Sequence, residues 1–297
     1  MSEQKQILVS GASGLIGRPL RKALESRGHG VRTLSRSSRG DYQWDVDSGH
    51  LDPAALEGVD AVVHLAGEGI AQRWTDAAKA RILGSRVDGT KLLADAVLQR
   101  KQRPAFISAS GISYYGIAQS EEVDEHSPSG DGFLAEVVRR WEGAAQPLVD
   151  AGVRTVFLRT GIVLSAKGGA LAKMLPPFKM GVGGRVGSGR QRMSWVSLDD
   201  LVAMYVHVVE SESLEGPVNA VAPEAVSNQE FTKVLGKVLG RPTIFPLPAA
   251  VVKALFGEMG RETILGDLAV SPGVLEASGF RWRHTKLEAA LRATIQP

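Results

Sequence analysis

Three glycines, at positions 11, 14 and 17, stand between a short apolar run, Ile7-Leu8-Val9-Ser10, and an amphipathic stretch that ends at Gly28. This spacing suits the holding of a pyrophosphate. A phosphate at a helix N-terminus needs backbone N–H groups aimed at it and no Cβ atoms in its way. The turn Gly11-Ala12-Ser13-Gly14-Leu15-Ile16-Gly17 supplies both, and a second apolar run follows at Val31–Leu34. A bare glycine triplet also serves ordinary tight turns. The strand on each side makes the motif specific for a dinucleotide, and Gly11, Ser13, Gly14, Leu15, Ile16 and Gly17 are its candidate binding residues.

The end of the second strand selects the cofactor. NAD sites place Asp or Glu about 20 residues on, to accept from the ribose 2′-OH. Here the chain reads Ser35-Arg36, with Arg39 nearby and no acid before Asp41. A carboxylate would repel a 2′-phosphate, whereas a guanidinium can hold it bidentately. Ser35 and Arg36 therefore point to NADP(H). A solvated loop arginine is the other role open to Arg36.

The elements that must position these groups alternate along the chain. Asp52-Pro53 has the form of a helix start, and Ala61–Gly67 is a buried strand ending in small residues. In an open parallel sheet, ligands lie beyond the carboxyl ends of the strands. That places Leu65, Ala66 and Gly67 beside the cofactor, with Glu68 on the same edge or simply in solvent. A long helix is predicted over about 76–100, a strand over 105–110, a helix over 130–151 and a strand over 153–158. The expected fold is α/β, a Rossmann-type doubly wound parallel sheet, with a smaller, mostly helical C-terminal substrate lobe. Residues 1–164 would form the nucleotide-binding domain, with 193–222 returning to it, and 165–192 and 223–297 the smaller lobe. Residues 165–192, rich in glycine and carrying Pro176-Pro177, read as a long loop. Its Arg185, Arg190 and Arg192 suit an anionic substrate group or plain solvent equally well. Helices are predicted over 227–239, 248–256 and 285–294.

Composition excludes several classes. The excess of 35 Lys and Arg over 32 Asp and Glu is small and scattered, with no basic run interleaved with aromatics, so nucleic acid is not an expected partner. The absence of cysteine removes thiolate catalysis and disulfides, and fits a reducing cytoplasm. The six His show no metal-ligand spacing, so no metal is expected. No apolar stretch reaches membrane-spanning length and the N-terminus carries no signal-peptide core. A cytoplasmic monomer or homodimer acting on a small molecule is expected.

Several segments resemble the extended short-chain dehydrogenase/reductase superfamily: Gly11–Gly17, His64-Leu65-Ala66-Gly67, Val87–Leu93, Ser108–Gly116, Leu158-Arg159-Thr160-Gly161 and Val196–Asp200. The chain is similar, nearly end to end, to its atypical epimerase-like branch, whose members are labelled nucleoside-diphosphate-sugar epimerase-like or cell-division-inhibitor proteins and carry a small C-terminal domain. Trp74, Gly84-Ser85-Arg86, Tyr114-Tyr115-Gly116, Trp141-Glu142, Gly183–Trp195, Pro246–Val252 and Ser271-Pro272 carry that likeness. The resemblance implies NADP(H) binding through Ser35, Arg36, Leu65, Ala66 and Arg86, with Ser108 and Gly161 at strand ends beside the cofactor. It maps the superfamily's catalytic Ser onto Ser110.

One departure bears on chemistry. The superfamily uses Tyr-x-x-x-Lys, in which the Lys lowers the Tyr pKa. None of Tyr42, Tyr114, Tyr115 and Tyr205 has Lys four residues on, and Phe133 and Val137 stand where the pair is expected. Ser110 and Tyr115 remain the catalytic candidates. The sequence thus supports an NADP(H)-dependent oxidoreductase or epimerase-like enzyme on a small polar, sugar-nucleotide-like substrate. Its alternative is a non-catalytic NADP(H)-binding redox sensor or regulatory protein.

Overall fold

The computed structural model describes residues 3–296. The first unit is β1 (Gln6–Ser10), α1 (Gly17–Ser26) and β2 (Gly30–Ser35), and α1 ends at Gly28, whose φ of +88° closes the helix. Then come β3 (Tyr42–Asp45) and β4 (His50–Leu51). Asp52 caps the next turn, but it is a single 3₁₀ turn, Pro53–Leu56, with the Asp52 carboxylate accepting from the Ala54 N–H. β5 (Ala61–His64) leads through an extended segment to α2 (Asp76–Leu98), which Thr75 caps through the Ala78 N–H.

After β6 (Ala105–Gly111), the helix expected over 130–151 is two helices, α3 (Phe133–Gly143) and α4 (Gln146–Asp150). Pro147, in the first turn of α4, has no N–H to continue α3. β7 (Thr155–Thr160) and β8 (Ile162–Leu164) follow.

The predicted loop over 165–192 is corrected by α5 (Gly169–Lys179), which contains Pro176 and Pro177. Leu171, Leu175 and Phe178 recur at helical spacing and are buried against Phe231 and Leu235 of the C-terminal region. That burial outweighs the two lost N–H donors, which local sequence weighs too heavily. Next are β9 (Arg192–Met193), β10 (Trp195–Ser197), α6 (Leu198–Glu210), β11 (Gly216–Ala220) and β12 (Val226–Ser227). The C-terminal region is helical: α7 (Asn228–Leu239), α8 (Ala249–Met259), a π turn over Gly260–Ile264, α9 (Gly273–Ala277) and α10 (Leu287–Ile295).

The main sheet runs β11-β7-β6-β5-β1-β2-β3-β4, parallel throughout except for the β3–β4 pair. Both faces are covered. Ile7 and Val9 pack with Leu20, Leu24 and the α6 side chains on one face, and Leu8 packs with Leu93, Phe106 and Leu148 on the other. Alternate residues of one strand thus feed two cores, which is why the strands read as continuous apolar runs. Strand order reverses between β1 and β5, and this switch point opens a crevice at their carboxyl ends. No helix among the described residues is long and apolar enough to cross a membrane.

Asp200, 1% exposed at the start of α6, fastens the C-terminal tail. Its carboxylate accepts from the Ser197 hydroxyl at 2.7 Å and from the Arg283 and His284 N–H groups at 2.6 and 3.1 Å. Asp200→Ala leaves two tail amides unpaired, and an expected loss of about 2–3 kcal/mol is read as a lower urea midpoint at unchanged slope.

Candidate functional site

The glycine turn is held by contact with its neighbours. Gly11 has φ +72°, and a Cβ there would lie 2.9 Å from the Ala66 nitrogen at the end of β5. A Cβ on Gly17 would lie 2.3 Å from the Gly11 carbonyl oxygen, so turn and helix can only meet this closely with glycine at both positions. The Gly14 N–H closes the turn on the Gly11 carbonyl at 2.9 Å. Ser13 and Gly14 are exposed, and α1 begins with neither a side-chain cap nor an acidic residue in its first turn. An anion fits that end of the helix. Leu15 packs against the Gly168–Gly169 entry to α5.

Beside this turn a cavity of about 550 Å³ lies between α1 and the end of β2, and its lining includes Ser35, Arg18, Lys22 and Arg39. Glu25 also lines it, paired with Arg21 at 2.7 Å. Asp41 accepts from the Thr33 N–H at 2.7 Å and the Thr33 hydroxyl at 2.8 Å. Arg36 is exposed next to the cavity but does not line it. Arg18, absent from the motif, joins Ser35 here, and Arg39, noted in sequence only as near Arg36, lines the cavity where Arg36 does not. Only the folding of α1 against the 35–40 turn brings them together.

At the end of β5, Leu65 and Ala66 are half-buried and Gly67 is exposed. Arg86 reaches them from α2, donating to the Glu68 carbonyl at 2.9 Å and the Ile82 carbonyl at 3.0 Å, with its guanidinium 5.1 Å from the Trp141 ring centroid. Burial lowers its pKa to about 10, against the pull of Glu68, so it stays charged at neutral pH. His64 lies under this edge, fully buried, its Nδ1 2.6 Å from the Ser10 hydroxyl. Burial, with the Arg86 charge, lowers its pKa to about 3, which leaves it a neutral packing residue.

The catalytic candidates are tied into one buried chain of polar groups. Ser110, 6% exposed, donates to Glu142 at 2.6 Å. Arg159, 4% exposed, grips the same carboxylate through Nε at 2.9 Å and Nη2 at 2.8 Å. It also donates to the Tyr115 hydroxyl at 2.9 Å, and Tyr115 donates to Asn219 at 2.8 Å. Tyr115 is wholly buried, and burial pushes its phenol up to about 12 despite the neighbouring Arg159. A group so placed is a strut between β6, β7 and β11, and neither its exposure nor its acidity suits it to the role of crevice acid. Tyr114 is half-buried, with the Arg159 guanidinium 3.5 Å from its ring centroid. Ser108 is buried and donates to the Ala109 carbonyl. Gly161 sits where a Cβ would lie 2.8 Å from both the Ser194 carbonyl oxygen and Val221. Close packing against neighbouring chain demands that glycine.

Of the loop arginines, Arg192 pairs with Asp267 at 2.7 Å and also donates to the Gln119 carbonyl, and Arg185 bonds the Ser188 carbonyl at 3.0 Å. Arg190 is exposed. Phe133 and Val137 do occupy α3, Phe133 against Trp74 with ring centroids 4.9 Å apart and Val137 in the core.

Tyr115 is protonated in the fold above the pH at which the unfolded chain releases its proton. Its contribution to stability is full below about pH 10 and is lost as pH rises toward about 12. In an alkaline absorbance titration, Tyr115→Phe is expected to leave the ionisation signal below about pH 11 unchanged.

Comparison with known proteins places this geometry. Residues 7–221 match the NAD dependent epimerase/dehydratase family, and residues 247–294 match a domain of unknown function, DUF1731. Epimerase family protein Mb2239 of Mycobacterium bovis is 41% identical over 98% of this chain and 98% of its own length. The crystal structure of human epimerase family protein SDR39U1 (isoform2) with NADPH is 37% identical, with a TM-score of 0.89 over 98% of this chain and 99% of that one. A UDP-glucuronic acid 4-epimerase from Bacillus cereus, at 19% identity over 97% of each chain and a TM-score of 0.78, shares the fold. The chain belongs to the NAD dependent epimerase/dehydratase family, in the epimerase-like branch of the extended short-chain dehydrogenases/reductases that carries a DUF1731 domain at its C-terminus.

Proposed function

We propose that this chain binds NADP(H) along the carboxyl edge of its sheet and uses it on a small polar substrate, as an epimerase-like oxidoreductase without the Tyr-x-x-x-Lys pair. The observation that carries the cofactor is the cavity at the end of β2. It offers Ser35, Arg18, Lys22 and Arg39, its lining acid Glu25 is paired with Arg21, and no acid stands at the end of β2 where an NAD site would aim one at the ribose. The relative crystallised with NADPH supports the same choice.

In this reading the turn Gly11–Gly17 holds the pyrophosphate, and Ser35, Arg18 and Arg39, with Arg36 closing from outside, hold the 2′-phosphate. Leu65, Ala66 and Gly67 line the path toward the ends of β5 and β6, and Arg86 braces that path. The bound nicotinamide would supply hydride transfer. Ser110 lies near the carboxyl end of β6, but its proton is directed to Glu142, so it offers lone pairs to a donor such as a substrate hydroxyl.

A second reading, a non-catalytic NADP(H)-binding sensor, is favoured by one observation: Tyr115 and Ser110 are both engaged inside the fold. Hydride transfer to any member of a carbonyl and sugar-nucleotide panel would decide for the enzyme. A partner whose binding differs between the NADP- and NADPH-loaded forms would decide for the sensor.

Titration of nicotinamide fluorescence tests the cofactor. NADPH is expected to bind more tightly than NADH. Arg39→Ala and Arg18→Ala are each expected to weaken NADPH by roughly 10- to 100-fold, the value of a charge-assisted hydrogen bond, with NADH little changed. Equal affinity for both nucleotides, or none for either, would overturn the assignment.

A further inference from the structure

One cation joins three elements around the crevice. Lys79, in the first turns of α2, extends its ammonium to Glu258 at 2.5 Å. The same ammonium stands 4.9 Å from the centroid of the Phe133 ring, which rests against Trp74. Trp74 lies on the segment leaving β5, Phe133 opens α3, and Glu258 lies near the end of α8. A few residues on, Glu262 of the π turn is buried and accepts the Phe133 and Leu134 N–H groups at 2.9 Å each. It thereby caps a helix whose preceding residue, Gly132, has no side chain to do so.

The stretch that carries Glu258 is jointed. Gly257 interrupts α8 with φ 57° and ψ −134°, yet a Cβ there would meet nothing within 4 Å. Backbone conformation, and not space, calls for glycine at that point. Upstream, α8 buries only Val252, and Leu255 is 70% exposed. An element with so few buried apolar contacts opens at low free-energy cost.

We propose that Lys79 and Glu258 form a clasp, with Gly257 as its hinge, that holds the lightly packed α8 against the start of α2 and the Phe133 ring. Lys79 does this through two contacts at once, an ion pair and a cation–π contact, each modest because its partners are partly exposed. Losing Glu258 is therefore expected to raise the open population about two- to fivefold, and losing Lys79, which removes both contacts, about three- to tenfold.

Hydrogen exchange followed by mass spectrometry, on the whole chain without nucleotide, tests the clasp separately from the cofactor assignment. Peptides covering 249–264 are expected to exchange about three- to tenfold faster in Lys79→Gln and about two- to fivefold faster in Glu258→Gln. The double variant is expected to be no faster than Lys79→Gln alone, because that change already removes the ion pair that Glu258→Gln breaks. Peptides from β6 and β7 should keep their protection, which shows that the fold is intact. Lys286→Gln, which breaks an exposed pair with Glu224, should leave 249–264 unchanged. In the unmodified chain, high salt should move the same peptides in the same direction. Unchanged exchange of 249–264 in Glu258→Gln, or single effects that simply sum in the double variant, would overturn the clasp.

Discussion

A charge buried under the carboxyl edge of the sheet governs this site. Arg159, on β7, has almost no access to water, and an unpaired guanidinium there would cost several kcal/mol. The fold answers with Glu142 from α3, held by two hydrogen bonds, and with the Tyr115 hydroxyl from the turn after β6. Burial opposes the charge of Arg159, but those partners raise its pKa above the ordinary arginine value. Everything else in the chain of contacts follows. Ser110 gives its proton to the carboxylate that Arg159 needs, and Tyr115 passes its own to Asn219, which also donates to the Ser271 carbonyl from the C-terminal region. Two side chains that could have done proton chemistry are committed to holding β6, β7, β11 and α3 together.

The cofactor edge obeys a different constraint, that of distance. Turn, helix and the end of β5 approach so closely at Gly11 and Gly17 that no side chain fits. This approach fixes where α1 starts and leaves exposed Ser13 and Gly14 at its tip. It also sets the wall of the cavity in which Arg18 and Arg39 face Ser35. The close-packed glycine edge contrasts with the jointed, lightly packed α8 of the C-terminal region.

The strands and most helices were legible because each rests on local physics. Ile7–Val9 and Ala61–Val63 are apolar on both sides, and Thr75, Ser197 and Ser227 cap the helices that follow them. The failures have equally physical causes. Helix α5 was hidden because Pro176 and Pro177 argue against a helix locally, while the burial that overrules them comes from α7, far along the chain. The break between α3 and α4 rests on Pro147, which a continuous helical pattern masks. At the site, the glycine turn and Ser35 could be read from spacing. Glu142, Arg159 and Asn219 could not, although Trp141-Glu142 and Leu158-Arg159 stood within the quoted likeness. Pairing between residues 17 to 104 apart, on different elements, leaves no periodic trace.

By itself the sequence determined the fold class, the glycine turn between β1 and α1 and the absence of a carboxylate at the end of β2, because each depends on residue type within a short stretch. Only the tertiary structure decided what the polar residues do. Whether Ser110 and Tyr115 face a substrate or brace a buried arginine depends on which partners arrive from other strands and on how much water remains. Those quantities exist only once the sheet has been assembled. The same holds for Lys79: its meeting with Glu258 and Phe133 is written nowhere in the spacing of the three residues, and arises when the C-terminal region folds back onto α2 and α3.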